Sequence, residues 1–237
     1  MEESRLKKSI RWIVGWIMTF AFVMVLLITS FEIATYSDFS WYQKEYEKYN
    51  VLDDLNMKME DVMYVTHEMM DYLKGKREDL VVYTTVGDHQ QEFFNEREKS
   101  HMLDVQVLFI KGIQLRRVAV MVCIAGLLVY LALKGSIKTL CTVIYRTGTG
   151  ILLGITALLG LLFATDFTKY FTIFHKIFFT NDLWLLDPAT DLMINMLPEG
   201  FFGDMAFRIL VIFVSFLVVT LGLSFCFSIV DKRKQNN

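Results

Sequence analysis

The sequence predicts an all-α membrane protein: four transmembrane helices carrying a mostly helical extracellular cap. Three observations predict it. Hydrophobic residues make up 54% of the 237 residues, against about 45–50% in a soluble domain. The excess is gathered into four blocks, 12–34, 118–133, 147–165 and 209–230, whose only charged residue is Glu32. Basic residues cluster in short segments on alternate sides of those blocks.

Each block suits a bilayer, since about 20 apolar residues cross roughly 30 Å of hydrocarbon. The first follows Arg5, Lys7, Lys8 and Arg11, as a signal peptide would. It is too long for such an apolar core, which runs about 7–15 residues, and no small-x-small cleavage site follows. It reads as a retained span. The second block is short and is expected to extend toward Gln114, with Arg116 and Arg117 snorkelling to the headgroups. Lys134, Lys138 and Arg146 lie between blocks two and three, and Lys232, Arg233 and Lys234 in the tail. The positive-inside rule puts these segments and both termini in the cytoplasm. Residues 1–35 are then the N-terminus and span 1, and 36–117 the outer cap. Spans 2 and 3 take 118–165, a second outer segment 166–208, and span 4 with its tail 209–237.

Cys123, Cys141 and Cys226 all fall in spans or on the cytoplasmic side, so no disulfide framework is expected in the cap. The net charge of −2 gives no sign of a nucleic-acid partner. Within the cap, Asn56 is a candidate N-cap and Gly75 a candidate stop for one helix. Met59, Val62, Met69 and Leu73 form its apolar stripe, interrupted by Thr66. Leu80–Thr85 is β-prone, and Gly87 breaks it. Asp88 with Gln91 suggests a capping box opening a second helix that runs through Gln106 and on toward the second span. An aromatic helix over Phe167–Phe179, too polar to cross, is expected in the interface plane. Loop and turn should follow from Asn181 to Pro198.

Two histidines stand on apolar helical faces. His101 sits amid Phe94, Val105 and Leu108, with Glu98 and Asp104 three residues to either side. His175 shares a face with Phe171, Phe178 and Phe179. Periodicity alone leaves two readings of each: a titratable group in a shared site, or a ring in an ordinary setting. The ordinary setting would be a buried histidine satisfied by Glu98 in one case and an interfacial aromatic belt in the other. His67-Glu68 is no zinc motif, because Asp71 stands where HExxH needs its second histidine, and no metal is expected. His89 reads as solvated, and Asp166, Asp187 and Asp191 as loop or capping residues. Glu32, at the outer end of the first span, is an intramembrane carboxylate and so a functional candidate.

The segment Phe93–Val105, FFNEREKSHMLDV, resembles a signature of the bacterial lipoprotein intramolecular transacylase (Lit) family. So does Phe174–Phe179, FHKIFF, followed by Asn181, Trp184, Asp187-Pro188, Asp191 and Pro198-Glu199. The resemblance covers about residues 10–230 and is weakest between Tyr36 and Leu80. It implies a multi-pass enzyme of the bacterial cell membrane, an acyltransferase acting on diacylated lipoproteins and membrane lipid without a cofactor. Such an enzyme moves the sn-2 acyl chain of a diacylglyceryl-cysteine to that cysteine's own α-amine, giving a lyso-form lipoprotein. By the same resemblance His101 and His175 are the catalytic pair. Glu98 or Asp104 would orient His101, and Phe94, Phe174, Phe178 and Trp184 would line the substrate pocket. The alternative is a non-catalytic membrane scaffold or sensor whose outer cap binds a partner.

Overall fold

A computed structural model describes the backbone of residues 2–236 and the side chains of residues 5–231. The tail side chains Lys232, Arg233 and Lys234 lie outside the described residues. Among the described residues, four helices are long and apolar enough to cross a membrane: α1 (Glu2–Tyr36), α5 (Glu96–Ala132), α7 (Tyr145–Thr165) and α10 (Glu199–Asn236). The intervening elements are α2 (Ser40–Lys48), α3 (Val51–Leu55), α4 (Met59–Leu73), β1 (Tyr83–Val86) and β2 (His89–Glu92). Later come α6 (Ile137–Thr139), a π-helical stretch Leu140–Ile144, α8 (Phe167–Phe178) and α9 (Leu192–Met196). The contacts divide the chain into two units. A membrane unit holds the segments up to Phe31, Gln114–Leu162 and from Ile209 onward. A polar unit holds Glu32–Ile113 and Phe163–Arg208.

The membrane unit packs through small residues and a few polar bridges, because lipid supplies no hydrophobic drive between helices. A Cβ on Gly126 would sit 2.5 Å from Met18 Cγ, so the missing side chain is what lets α5 approach α1. Tyr130, Leu140 and Ile144 form a buried cluster with Trp12, Val14 and Met18 against it. Val23, Phe213 and Leu217 form another. The π-helical stretch frees the Cys141 carbonyl, and Ser224 Oγ donates to it at 2.6 Å. Arg146 Nε donates to the same Ser224 hydroxyl at 2.8 Å, which pins α7 to α10. Arg11 Nη1 donates to the Lys134 carbonyl at 3.0 Å, so the first basic cluster and the turn after α5 lie at one end of this unit.

In the polar unit the aromatic core comes from α2 and α4. Tyr42 and Tyr46 are fully buried, and Phe201 packs on both, with ring centroids 5.6 and 6.1 Å away. Thr66, which interrupts the apolar stripe of α4, is buried; its hydroxyl donates to the Val62 carbonyl at 2.8 Å and accepts from Tyr46 at 2.6 Å. Two cap expectations are corrected. Asn56 does not begin α4: it closes α3 at φ 50°, a left-handed conformation that its short polar side chain tolerates, and the N-cap is Lys58. Asp88 and Gln91 do not open a helix either. They belong to an antiparallel hairpin in which Val86 faces His89 across a two-residue Gly87-Asp88 loop, with Gly87 at φ 62°. A third correction is minor: the expected loop from Asn181 to Pro198 contains α9.

Candidate active site

The helix that carries His101 starts at Glu96 and is set by Asn95. Asn95 Oδ1 accepts from the amides of Arg97 (2.9 Å) and Glu98 (3.0 Å). Glu98 Oε2 accepts from the Asn95 amide at 2.7 Å, completing a reciprocal capping box. The other oxygen, Glu98 Oε1, accepts from the Met193 amide at 2.6 Å, in the first turn of α9. One fully buried carboxylate thus caps two helices. At about 1.5 Å per residue, the 37 residues of α5 exceed the hydrocarbon thickness. Its polar first turns, with His101, precede the apolar run that begins at Val118.

The second histidine closes α8. Asp166 caps that helix by accepting from the Lys169 amide at 3.0 Å. One turn before its end, His175 Nδ1 lies 2.8 Å from the Phe171 carbonyl, an acceptor only. That bond requires the proton on Nδ1, so in the neutral ring Nε2 carries the lone pair.

The rings of His101 and His175, from segments 74 residues apart in the chain, lie 6.2 Å apart between centroids. Phe179 contacts both, at 5.3 and 5.6 Å. Phe171 meets His175 edge-on at 4.4 Å, Phe174 does so at 5.5 Å, and Trp184 lies tilted by 30° at 4.9 Å. Only 7% of His101 and 8% of His175 is exposed, so bulk water is largely excluded from both rings. His101 Nδ1 is buried without a hydrogen-bond partner. An orphaned polar atom of that kind is costly unless a ligand meets it.

Burial is the main influence on His101, with the neighbouring His175 second; together they bring its pKa down to about 4 against the pull of Asp104. Burial also lowers His175, partly offset by the Phe171 carbonyl. Both rings are therefore neutral at physiological pH. Since His101 titrates lower in the folded chain than in the unfolded one (about 6.5), the unfolded chain binds more protons between the two values. Stability is thus lost as pH falls from about 6.5 and stops falling near the folded value of about 4. Melting of the purified protein in detergent measures this: the drop between pH 7 and 4.5 is expected to be smaller in His101→Asn than in the wild type. An equal drop would contradict it.

The segment after α8 is tied to α5 at three places. Asn181 Nδ2 donates to Asp104 Oδ2 at 2.8 Å, Arg97 donates to the Asp182 carbonyl, and Asn95 Nδ2 donates to Asp191 Oδ1 at 2.7 Å. Trp184 is held within that segment by donating from Nε1 to the Asn181 carbonyl at 2.9 Å. Burial pushes the Asp191 carboxyl up, but hydrogen bonds from the Asp187 amide, the Asn95 side chain and the Thr190 hydroxyl, with the charge of Arg97, together hold it below the usual range.

Of the residues singled out from sequence, His101, His175, Phe174 and Trp184 come together. Glu98 does not satisfy the His101 ring, because its oxygens are committed to backbone amides. Asp104 acts on His101 only through its charge. Phe94 is buried against Phe93 at 4.9 Å, while Phe178 is half exposed and packs on Phe174 at 4.7 Å. The ring contacts expected of those two are supplied by Phe171 and Phe179. Phe171, four residues before His175, stands on the face where helical spacing puts it. Phe179 reaches both rings although it leaves the helix at φ −120° and ψ 132°, so its contact with His101 is not one that helical spacing predicts. Elsewhere in the polar unit, His67 stacks on Phe39 at 4.0 Å, and His89 is exposed on β2.

Two neutral imidazoles in a water-poor aromatic enclosure can take up and release a proton without a nucleophile from the protein. The model of the family described as lipoprotein intramolecular transacylase Lit matches residues 16–202. No curated protein sequence matches. Among solved structures, the membrane-integral lipoprotein intramolecular transacylase Lit of Bacillus cereus is similar, with a TM-score of 0.76. It is 21% identical, over 97% of this chain and 100% of that one. A form of that protein with a histidine replaced by arginine is 19% identical over 100% and 99%, also at 0.76. The corresponding alanine form is 19% identical over 99% and 100%, again at 0.76. At such identities the likeness establishes the four-span fold.

Proposed function

The chain belongs to the lipoprotein intramolecular transacylase family, and we propose on that premise that His101 and His175 carry its acyl shift. The substrate is a bacterial lipoprotein whose N-terminal cysteine bears a diacylglyceryl group. Its α-amine attacks the sn-2 ester carbonyl, the new N–C bond forms, the glyceryl C–O bond breaks, and a lyso-form lipoprotein results. The observation that carries the reading is the meeting of two rings from distant segments, 6.2 Å apart, in one aromatic enclosure.

The chemistry follows from proton bookkeeping. An α-amine with a pKa of about 7.7–8.0 is mostly protonated at neutral pH and must shed protons to become an amide. His175, with its Nδ1 proton held by Phe171, has Nε2 free to accept one. The departing glyceryl oxygen needs a proton, and His101 is the donor: a pKa of about 4 makes its imidazolium a strong acid as soon as a proton reaches it from His175. One proton of the ammonium form leaves to solvent before the attack, the second passes through the imidazoles to the glyceryl oxygen, and no water is consumed. Both reactants belong to one molecule, so the protein contributes mainly position, for which effective molarities reach about 10⁵–10⁸ M. Excluding water from the rings also keeps the ester from hydrolysis.

The basic residues support a cell-membrane orientation with both termini cytoplasmic and residues 37–117 and 166–208 outside, where lipoprotein N-termini are found. Expression in a bacterium that makes only diacylated lipoproteins tests the function. Because the shift is an isomerisation, the N-terminal lipopeptide keeps its mass, while its fragments place one acyl chain on nitrogen instead of glycerol. Unchanged fragments from cells containing well-expressed protein would overturn the assignment.

A further inference from the structure

We infer that the membrane unit holds one acyl chain of an anionic phospholipid in a groove remote in sequence from the histidines. A cavity of about 490 Å³ lies among α1, α5, the π-helical stretch and α10, with Met18, Phe22, Leu127, Leu223 and Phe227 in its wall. This is within the range of ligand sites, about 300–1,000 Å³. The hydroxyls in its wall are all engaged inside the protein, and Cys123 Sγ donates to the Met18 carbonyl. Thr19 Oγ1 donates to the Gly15 carbonyl (3.0 Å), and Thr220 Oγ1 donates to the Phe216 carbonyl (2.8 Å) while accepting from Tyr145. Ser224 Oγ donates to the Cys141 carbonyl (2.6 Å). The groove therefore offers water little to bond, and in a bilayer it fills with hydrocarbon. Leu223 is 65% exposed and Ile124 58%, so its mouth opens on the lipid-facing surface of the unit.

Charge selects the headgroup. Leu127 lies five residues, about 8 Å, before the end of α5 at Ala132, and Lys134 is in the turn two residues beyond. Lys8 belongs to the same end, which Arg11 ties to the Lys134 carbonyl. Asp231, the acidic side chain described there, is already paired with Lys138 at 2.6 Å. Basic clusters between spans on the cytoplasmic side attract anionic headgroups. The inference rests on the proposed orientation of the chain and on nothing in the acyl-transfer chemistry.

Native mass spectrometry of the full chain, released from nanodiscs of equal phosphatidylglycerol and phosphatidylcholine with matched chains, tests it. The wild type is expected to retain one phosphatidylglycerol in preference to phosphatidylcholine, and Leu127→Trp, which fills the groove, to lose it. The exposed pair Lys8→Gln/Lys134→Gln is expected to retain the two lipids equally, which keeps the test valid if the tryptophan variant does not fold. His101→Ala is expected to keep the phosphatidylglycerol while losing acyl transfer, separating this site from the reaction. Equal retention by the wild type, a preference unchanged in the lysine variant, or loss of the lipid in His101→Ala would each overturn the inference.

Discussion

Replacing His175 with alanine is expected to slow acyl transfer by about 10²–10⁴-fold, the scale of general acid–base catalysis by one side chain. The loss should fall on turnover more than on substrate affinity, because a proton acceptor acts in the transition state and not in the bound ground state. His175→Asn makes the comparison sharper. Its amide can still donate to the Phe171 carbonyl that now holds Nδ1. It has no basic nitrogen to replace Nε2. If His175 only fills space between Phe171 and Trp184, the asparagine variant keeps most activity. If it accepts a proton, asparagine fails as badly as alanine, with unchanged melting. Turnover is read as the rate at which N-acylated lipopeptide appears from a synthetic diacylglyceryl-cysteinyl peptide.

The second large effect concerns Glu98. Burial raises its pKa, while the amides of Met193 and Asn95 favour the carboxylate. Glu98→Ala leaves those buried amides without an acceptor, at about 1–3 kcal/mol for each one unsatisfied. The first turn of α5 and the start of α9 come loose together, and His101 lies one turn beyond Glu98 on α5. Melting temperature and acyl transfer are therefore expected to fall in parallel. Glu98→Gln keeps one carbonyl oxygen and should recover part of both. An alanine variant with wild-type melting would show that solvent or a rearranged loop satisfies those amides, contrary to the double-cap arrangement.

The spans were legible because hydrocarbon imposes a crude rule, long apolar blocks, that needs no knowledge of tertiary contacts. The histidines were legible for a related reason: helical periodicity puts each on an apolar face whatever packs there. Their meeting was not, since it depends on the segment after α8 being bonded to α5 through Asn95, Arg97 and Asp104. Those are single polar contacts across 77 to 96 residues, without a local pattern. Local signals also competed. Asp88 with Gln91 has the spacing of a capping box, yet Gly87 and β-prone flanks favoured the hairpin, and the working cap was Asn95 with Glu98 seven residues on. Asn56 illustrates the same ambiguity, because asparagine suits both a helix start and a left-handed stop.

The most direct measurement is the rate of N-acyl product formation by purified wild type, His101→Asn, His175→Asn and the double variant. Two rings that pass one proton act as a unit, so losing the second should cost little once the first is gone. The double variant is then expected to be no slower than the slower single one. Losses that multiply, or a single variant that retains wild-type turnover, would mean the two imidazoles do not work as a pair.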